Sequence, residues 1–155
     1  MAELRWLDER EAHLWQAYRH LQRELRDALD RQLLRDAGLS GADYALLVPL
    51  SESPDGLLRA RDLGALVGWD RPRISHQLTR MEQRGLVARE RCPDDARGSM
   101  VRLTPTGRSA IEAAAPKHVT TVRRFFIDPL SDDELDTLTT LLDRLLAGLA
   151  DREVD

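Results

Sequence analysis

Gly68-Trp69-Asp70-Arg71-Pro72-Arg73-Ile74-Ser75-His76-Gln77-Leu78-Thr79-Arg80-Met81-Glu82-Gln83-Arg84-Gly85 is the stretch on which the fold turns. Gly68-Trp69-Asp70 reads as a tight turn, Asp70 as an N-cap, and Pro72 sits in a first helical turn where its missing N–H costs nothing. Ile74, Leu78 and Met81 recur at spacings of four and three, the buried stripe of a helix that Gly85 closes. That stripe leaves Arg71, Arg73, Ser75, His76, Gln77, Thr79 and Arg80 on the outer faces.

Upstream, Ala60 to Val67 predicts a short helix with Leu63, Leu66 and Val67 inward. Before it lies Gly41 to Leu50, opened by Ser40 and Asp43 in the pattern of a capping box. A loop over Ser51-Glu52-Ser53-Pro54-Asp55-Gly56 separates the two. Downstream, Val87 to Cys92 and Ser99 to Thr104 alternate as strands, joined by a loop over Pro93 to Gly98. Two short helices around a turn, followed by a hairpin, describe a helix-turn-helix with a wing.

The flanks are helical. From Leu4 to Leu34, Leu14, Tyr18, Leu21, Leu25, Leu29 and Leu33 recur at steps of three or four. A helix of that length extends ~40 Å, too far for one small lobe to cover, which points to a partner chain. Beyond the hairpin, Thr104-Pro105 opens another helix, which Pro116 is expected to bend or break before it resumes through Phe125 and Phe126. Ser131 and Glu134 cap a last helix whose stripe is Leu135, Leu138, Leu142, Leu145 and Leu149. The expected fold is therefore mainly α with a small β-hairpin wing. A winged helix-turn-helix lobe spans about residues 38–104, with dimerisation helices over 1–37 and 105–155.

Charge is unevenly spread. The chain has 155 residues and a net charge of −4. Arg59 to Arg102 holds ten arginines against six acids, whereas the remainder carries 13 basic and 21 acidic side chains. Every cation in the central segment is arginine, whose planar fork suits phosphates and base edges. Double-stranded DNA is the partner this implies, with Arg71, Arg73 and Ser75, nearest the helix start, as first candidates for base contacts. Glutamine, here Gln77, suits adenine, and hydroxyls suit phosphates. At the hairpin tip, Arg97 is placed to enter the minor groove, with Asp95 holding its guanidinium. Plainer readings of the same residues are a wet helix face and an exposed turn.

No run approaches the ~20 apolar residues of a membrane span. The start lacks a basic-then-apolar leader, and the single Cys92 forms no internal disulfide, so a cytoplasmic protein is expected. The chain lacks Gly-x-x-x-x-Gly-Lys, Gly-x-Ser-x-Gly and His-Glu-x-x-His, and the four histidines show no metal spacing. Neither an enzyme nor a metal or other cofactor is expected.

Arg80-Met81-Glu82-Gln83-Arg84-Gly85-Leu86-Val87, Arg89, Asp95-Ala96-Arg97 and Val101-Arg102-Leu103-Thr104-Pro105-Thr106-Gly107 together resemble the signature of the MarR family of winged helix-turn-helix regulators. Met81 stands where that family usually has leucine, and the helix at Ala60 lacks the usual Thr cap. The resemblance implies a homodimer with interleaved terminal helices, bound to a pseudo-palindrome through two recognition helices and two wings, usually as a repressor. It also implies release by a small aromatic acid or phenol held near Trp15, Tyr18, Arg19, Asp43, Tyr44 and His118. Two alternatives are a winged-helix module that binds protein, and a redox-responsive regulator using Cys92 beside Arg89, Arg91 and Arg97. For Trp15 and Tyr18 the simpler role is packing, and for Cys92 that of an inert strand residue.

Overall fold

A computed structural model describes residues 4–150. Its elements in chain order are α1 (Glu9–Ala37), α2 (Gly41–Glu52), β1 (Leu57–Arg59), α3 (Ala60–Val67), α4 (Arg71–Gln83), β2 (Val87–Cys92), β3 (Asp95–Leu103), α5 (Pro105–Val122), a π-helical turn (Arg123–Ile127) and α6 (Asp132–Ala150). This is the expected architecture, mainly helical with a small sheet. Contacts group the chain into two compact units, Met1–His118 and Val119–Asp155.

Helix α1 starts at Glu9, five residues after Leu4, because Asp8 and Glu11 form a capping box. It ends where the sequence indicated: Gly38 takes the left-handed conformation (φ 64°). The Gly38 and Leu39 amides then return to the Leu34 and Leu33 carbonyls, a Schellman closure. The capping boxes at Ser40–Asp43 and Ser131–Glu134 both form.

The first unit has one hydrophobic core. Leu33 and Leu39 from the end of α1 meet Leu46, Leu47 and Leu50 of α2, Leu63 of α3, and Ile74, Leu78 and Met81 of α4. Val87, Val101, Leu103, Ile111 and Ala114 close it from the sheet and α5. Leu66 does not join them and is 66% exposed. Gly64 holds the centre of the inward face of α3, where a Cβ would come 3.2 Å from Ile74, so α4 packs closely there and Leu66 falls to the side.

The sheet is antiparallel, in the order β1-β3-β2. Its first strand, only three residues long, is too short to show alternation and lies where a loop ended in the sequence reading. The hairpin is also tighter than expected. Cys92 pairs with Asp95, so Asp95 to Gly98 belong to β3 and not to a loop. Arg91 pairs with Ser99, so Ala96, Arg97 and Gly98 are extra residues bulged out of the ladder.

Thr104 locks the hairpin to the next helix. Its hydroxyl accepts from the Gly107 amide and lies 2.6 Å from the Gly85 carbonyl oxygen, to which it donates. A Cβ at Gly107 would run into the Leu86 carbonyl, so α5 abuts that backbone directly. Contrary to the sequence expectation, α5 is not broken at Pro116 and continues to Val122. The irregularity comes later, as the π-helical turn. In the second unit, α6 buries none of its residues, and Leu145, Leu146 and Leu149 are each more than 60% exposed.

Candidate nucleic-acid interface

Asp70 starts α4 as the sequence indicates, its Oδ1 accepting from the Arg73 amide at 2.8 Å. Helical phase then sets the fate of each candidate. Arg71, Arg73, Ser75, His76 and Arg80 are exposed along one side. Gln77 is not: it is 8% exposed, and its amide donates to Asp43 Oδ1 at 2.7 Å. Its place is beside the inward Ile74 and Leu78, where a buried carboxylate accepts it; this removes it from the DNA-facing set. Thr79 is half-buried, donating to the Ser75 carbonyl and accepting from Arg89. It ties the helix to the wing.

The wing needs a second correction. Asp95 does not hold the Arg97 guanidinium; its carboxylate accepts from the Arg97 backbone amide at 2.9 Å. It shapes the bulge and leaves the exposed Arg97 side chain with no partner among the described residues. Between α4 and the wing lies a cleft of about 480 Å³, lined by Arg59, Arg61, Trp69, Arg71, Arg89 and Arg97 among others.

The ten arginines of this segment divide cleanly. Arg59, Arg61, Arg84, Arg89 and Arg102 each pair with an acid. Arg71, Arg73, Arg80, Arg91 and Arg97 have no acidic partner among the described residues, and all five lie on α4 or the wing. Three of the paired five, Arg84, Arg89 and Arg102, brace the lobe. Arg84 joins buried Asp43 and the Gly38 carbonyl, linking the ends of α4 and α1. Arg89 holds Glu82, and Arg102 bonds Glu90 across the hairpin, which keeps the Glu90 carboxyl below its usual range. The unpaired five present a positive face without internal neutralisation.

Sequence reasoning missed Trp69, Arg59 and Arg61 as parts of this face. The guanidinium carbon of Arg73 lies 3.9 Å from the centroid of the Trp69 ring. An aromatic residue in a turn next to an arginine four positions on was the available signal.

The candidate ligand residues separate. Trp15 stacks on Tyr18 at 5.7 Å, both about half exposed on α1. Tyr44 and His118 meet at 4.3 Å. Burial lowers the His118 pKa and raises that of Tyr44, with Glu52 adding to the latter, so the imidazole is neutral at neutral pH. Buried Asp43 is committed to Ser40, Gln77 and Arg84, and is no ligand-cleft group. Arg19 lies on an α1 face beside Gln16, His20 and Arg23. Cys92 is buried in the hairpin. No helix among the described residues is long and apolar enough to cross a membrane.

A winged helix-turn-helix with an arginine face of this kind defines the DNA-reading lobe of a transcription regulator. A MarR family model matches residues 37–98. Sco3205, a MarR family transcriptional regulator from Streptomyces coelicolor solved in complex with DNA, is 39% identical, with 96% of this chain and 93% of that one covered and a TM-score of 0.89. AbsC, a second MarR family regulator from the same organism, is 38% identical, with coverages of 95% and 99% and a TM-score of 0.88. The HTH-type transcriptional regulator YdgJ of Bacillus subtilis is 30% identical over 70% of this chain, which spans 62% of YdgJ's length. The chain belongs to the MarR family of transcriptional regulators.

Proposed function

We infer that the protein is a sequence-specific DNA-binding repressor that acts as a homodimer on a pseudo-palindromic operator. The carrying observation is the division of the arginines: every one in the central segment without an acidic partner among the described residues lies on α4 or the wing. In this reading α4 enters the major groove, with Arg71, Arg73 and Ser75 at base edges and His76 and Arg80 toward phosphates. Arg97, thrown outward by the bulge, enters the adjacent minor groove. The complex of Sco3205 with DNA supports the same use of the fold.

The homodimer rests on exposed apolar side chains. Leu14, Trp15, Tyr18 and Leu21 on α1, and the α6 leucines, are too exposed for a lone chain in water. For release of DNA, the Tyr44–His118 pair is the favoured ligand contact. Among the described residues the buried His118 Nδ1 has no hydrogen-bond partner, nor does the buried Gln32 Oε1, and a small phenol or aromatic acid supplies both ring surface and polar atoms.

Anisotropy of labelled DNA from upstream of the protein's own gene, at two salt concentrations, tests this reading. Tight binding that weakens steeply with salt is expected, the log–log slope growing by about 0.9 for each phosphate neutralised. Affinity no better than for random duplex would remove the operator from that DNA and turn attention to a protein partner.

A further inference from the structure

Of the five arginines without an acidic partner among the described residues, Arg73 alone is there in cation–π contact with an aromatic ring. Its guanidinium lies over Trp69, the last residue but one before α4. The ring is itself held: Trp69 is half-buried and packs against the hydrophobic core, and its amide donates to the Gly64 carbonyl at 3.0 Å. The platform under Arg73 is therefore part of the rigid turn between α3 and α4, not a mobile side chain.

This way of holding an arginine has a chemical consequence. A salt bridge fixes a guanidinium by spending N–H donors, as in Arg84 and Arg89, whose donors are already bonded within the chain. An aromatic face fixes the cation through its π-system and spends none. Among the described residues the Arg73 side chain donates no hydrogen bond, so all five of its N–H groups remain available. Guanine recognition in the major groove needs a planar fork delivering two parallel donors to O6 and N7. Ordering that fork before DNA arrives lowers the entropy lost on binding.

We propose that Trp69 is a positioning residue for base recognition: it presents the Arg73 guanidinium, edge outward, to a guanine in each half-site. The inference rests on the operator-binding role described above. Its partner is a G·C pair read from the major groove, and its effect is on discrimination at that pair rather than on general affinity for DNA.

The test is selection from duplexes with a randomised central segment, performed with the wild-type protein and with Arg73→Ala, Trp69→Leu, Trp69→Phe and the Trp69→Leu/Arg73→Ala double variant. Competition titrations at each position of the recovered motif then measure discrimination. The wild type should recover a pseudo-palindrome, and Arg73→Ala should lose preference for one G·C pair in each half. Trp69→Leu should lose about tenfold discrimination at that same pair, with the salt dependence unchanged. Trp69→Phe should keep most of the preference, and the double variant should discriminate no worse than Arg73→Ala alone. If Trp69→Leu retains full discrimination, or weakens binding equally to every sequence, the positioning role is overturned while the operator-binding role stands. If Trp69→Leu does not fold, Trp69→Phe and Arg73→Lys decide. Lysine keeps the charge but lacks the planar fork, so unaltered preference in Arg73→Lys overturns the proposal. Recovery of no motif by the wild type would overturn the operator-binding role, and this inference with it.

Discussion

Single residues in this lobe divide into those that brace it and those left facing outward, and the two kinds should respond differently to substitution. Asp43 is 1% exposed and accepts from Ser40, Gln77 and Arg84. Asp43→Ala leaves a buried amide and an arginine without their acceptor and removes half of a capping box. A loss of about 3 kcal/mol of stability is expected. Urea unfolding measures it, and a shift below about 1 kcal/mol would mean that water replaces the carboxylate. Arg97 has the opposite character. Arg97→Ala should leave the urea midpoint and the dimer untouched yet weaken operator binding on the order of tenfold. Unchanged anisotropy would remove the minor-groove contact. Gln77 and Asp95 show the limit of residue-level reading. Exposure of α4 residues followed from period, but a glutamine beside the buried stripe faces inward only because a carboxylate 34 positions earlier accepts it. Asp95 turns to its own backbone because the strand register bulges there, and no spacing in the sequence states that register.

His118 sits at the same scale and makes the protein sensitive to acid. Its folded pKa lies below the ordinary histidine value of 6.5 because burial disfavours the imidazolium. The unfolded chain therefore takes up a proton first as pH falls, and the stability that the neutral ring supports is present above about pH 6.5 and lost on acidification through the folded pKa. Asp36 and Glu90, whose pKa values are lowered from 3.8 and 4.5, add their own losses only at more acidic pH. Thermal melts at pH 7.5, 6.5 and 5.5 should show a falling midpoint in the wild type and a flatter one in His118→Phe. Equal slopes would place the acid sensitivity elsewhere.

Helices here were legible wherever a cap or a strong period announced them, as at Ser40, Asp70, Thr104 and Ser131. Elements that depend on partners were not. The three residues of β1 are strand only because β3 pairs with them, and Leu66 is exposed only because Gly64 lets α4 approach. Pro116 misled in the other direction: it removes one amide donor, yet α5 runs on through it. The junction that most constrains the lobe is Gly107, where helix meets backbone with no room for a side chain. Gly107→Ala should cost about 1–3 kcal/mol, because either α5 or the Leu86 peptide must move. A urea midpoint within error of the wild type would mean that the junction yields freely. The Leu103-Thr104-Pro105-Thr106-Gly107 run thus matters to the DNA-binding face through the hairpin it anchors.

At the scale of the whole molecule the apolar stripes of the terminal helices demand an account, since no residue of α6 is buried and α1 buries only Gln32 and Leu33. Their spacing was plain in the sequence; what covers them was not, because periodicity identifies a face and says nothing of its partner. In the proposed homodimer a second copy of the chain would cover them, which would also serve DNA reading. In that proposal one lobe alone would make few base contacts, and two lobes joined rigidly would read half-sites about ten base pairs apart as a single event. Leu145→Asp places a charge within the α6 stripe, where Leu145 is 65% exposed in the single chain. Sedimentation should find the wild type as a dimer at micromolar concentration and this variant shifted toward monomer, with the circular dichroism of its helices largely kept. The variant should bind the full pseudo-palindrome at least a hundredfold more weakly, while affinity for an isolated half-site stays unchanged. That pair of results would separate loss of dimerisation from damage to the reading lobe. If the variant stays dimeric and binds as before, the α6 stripe is not the dimer contact, and the exposed Leu14, Trp15 and Leu21 of α1 would have to carry it.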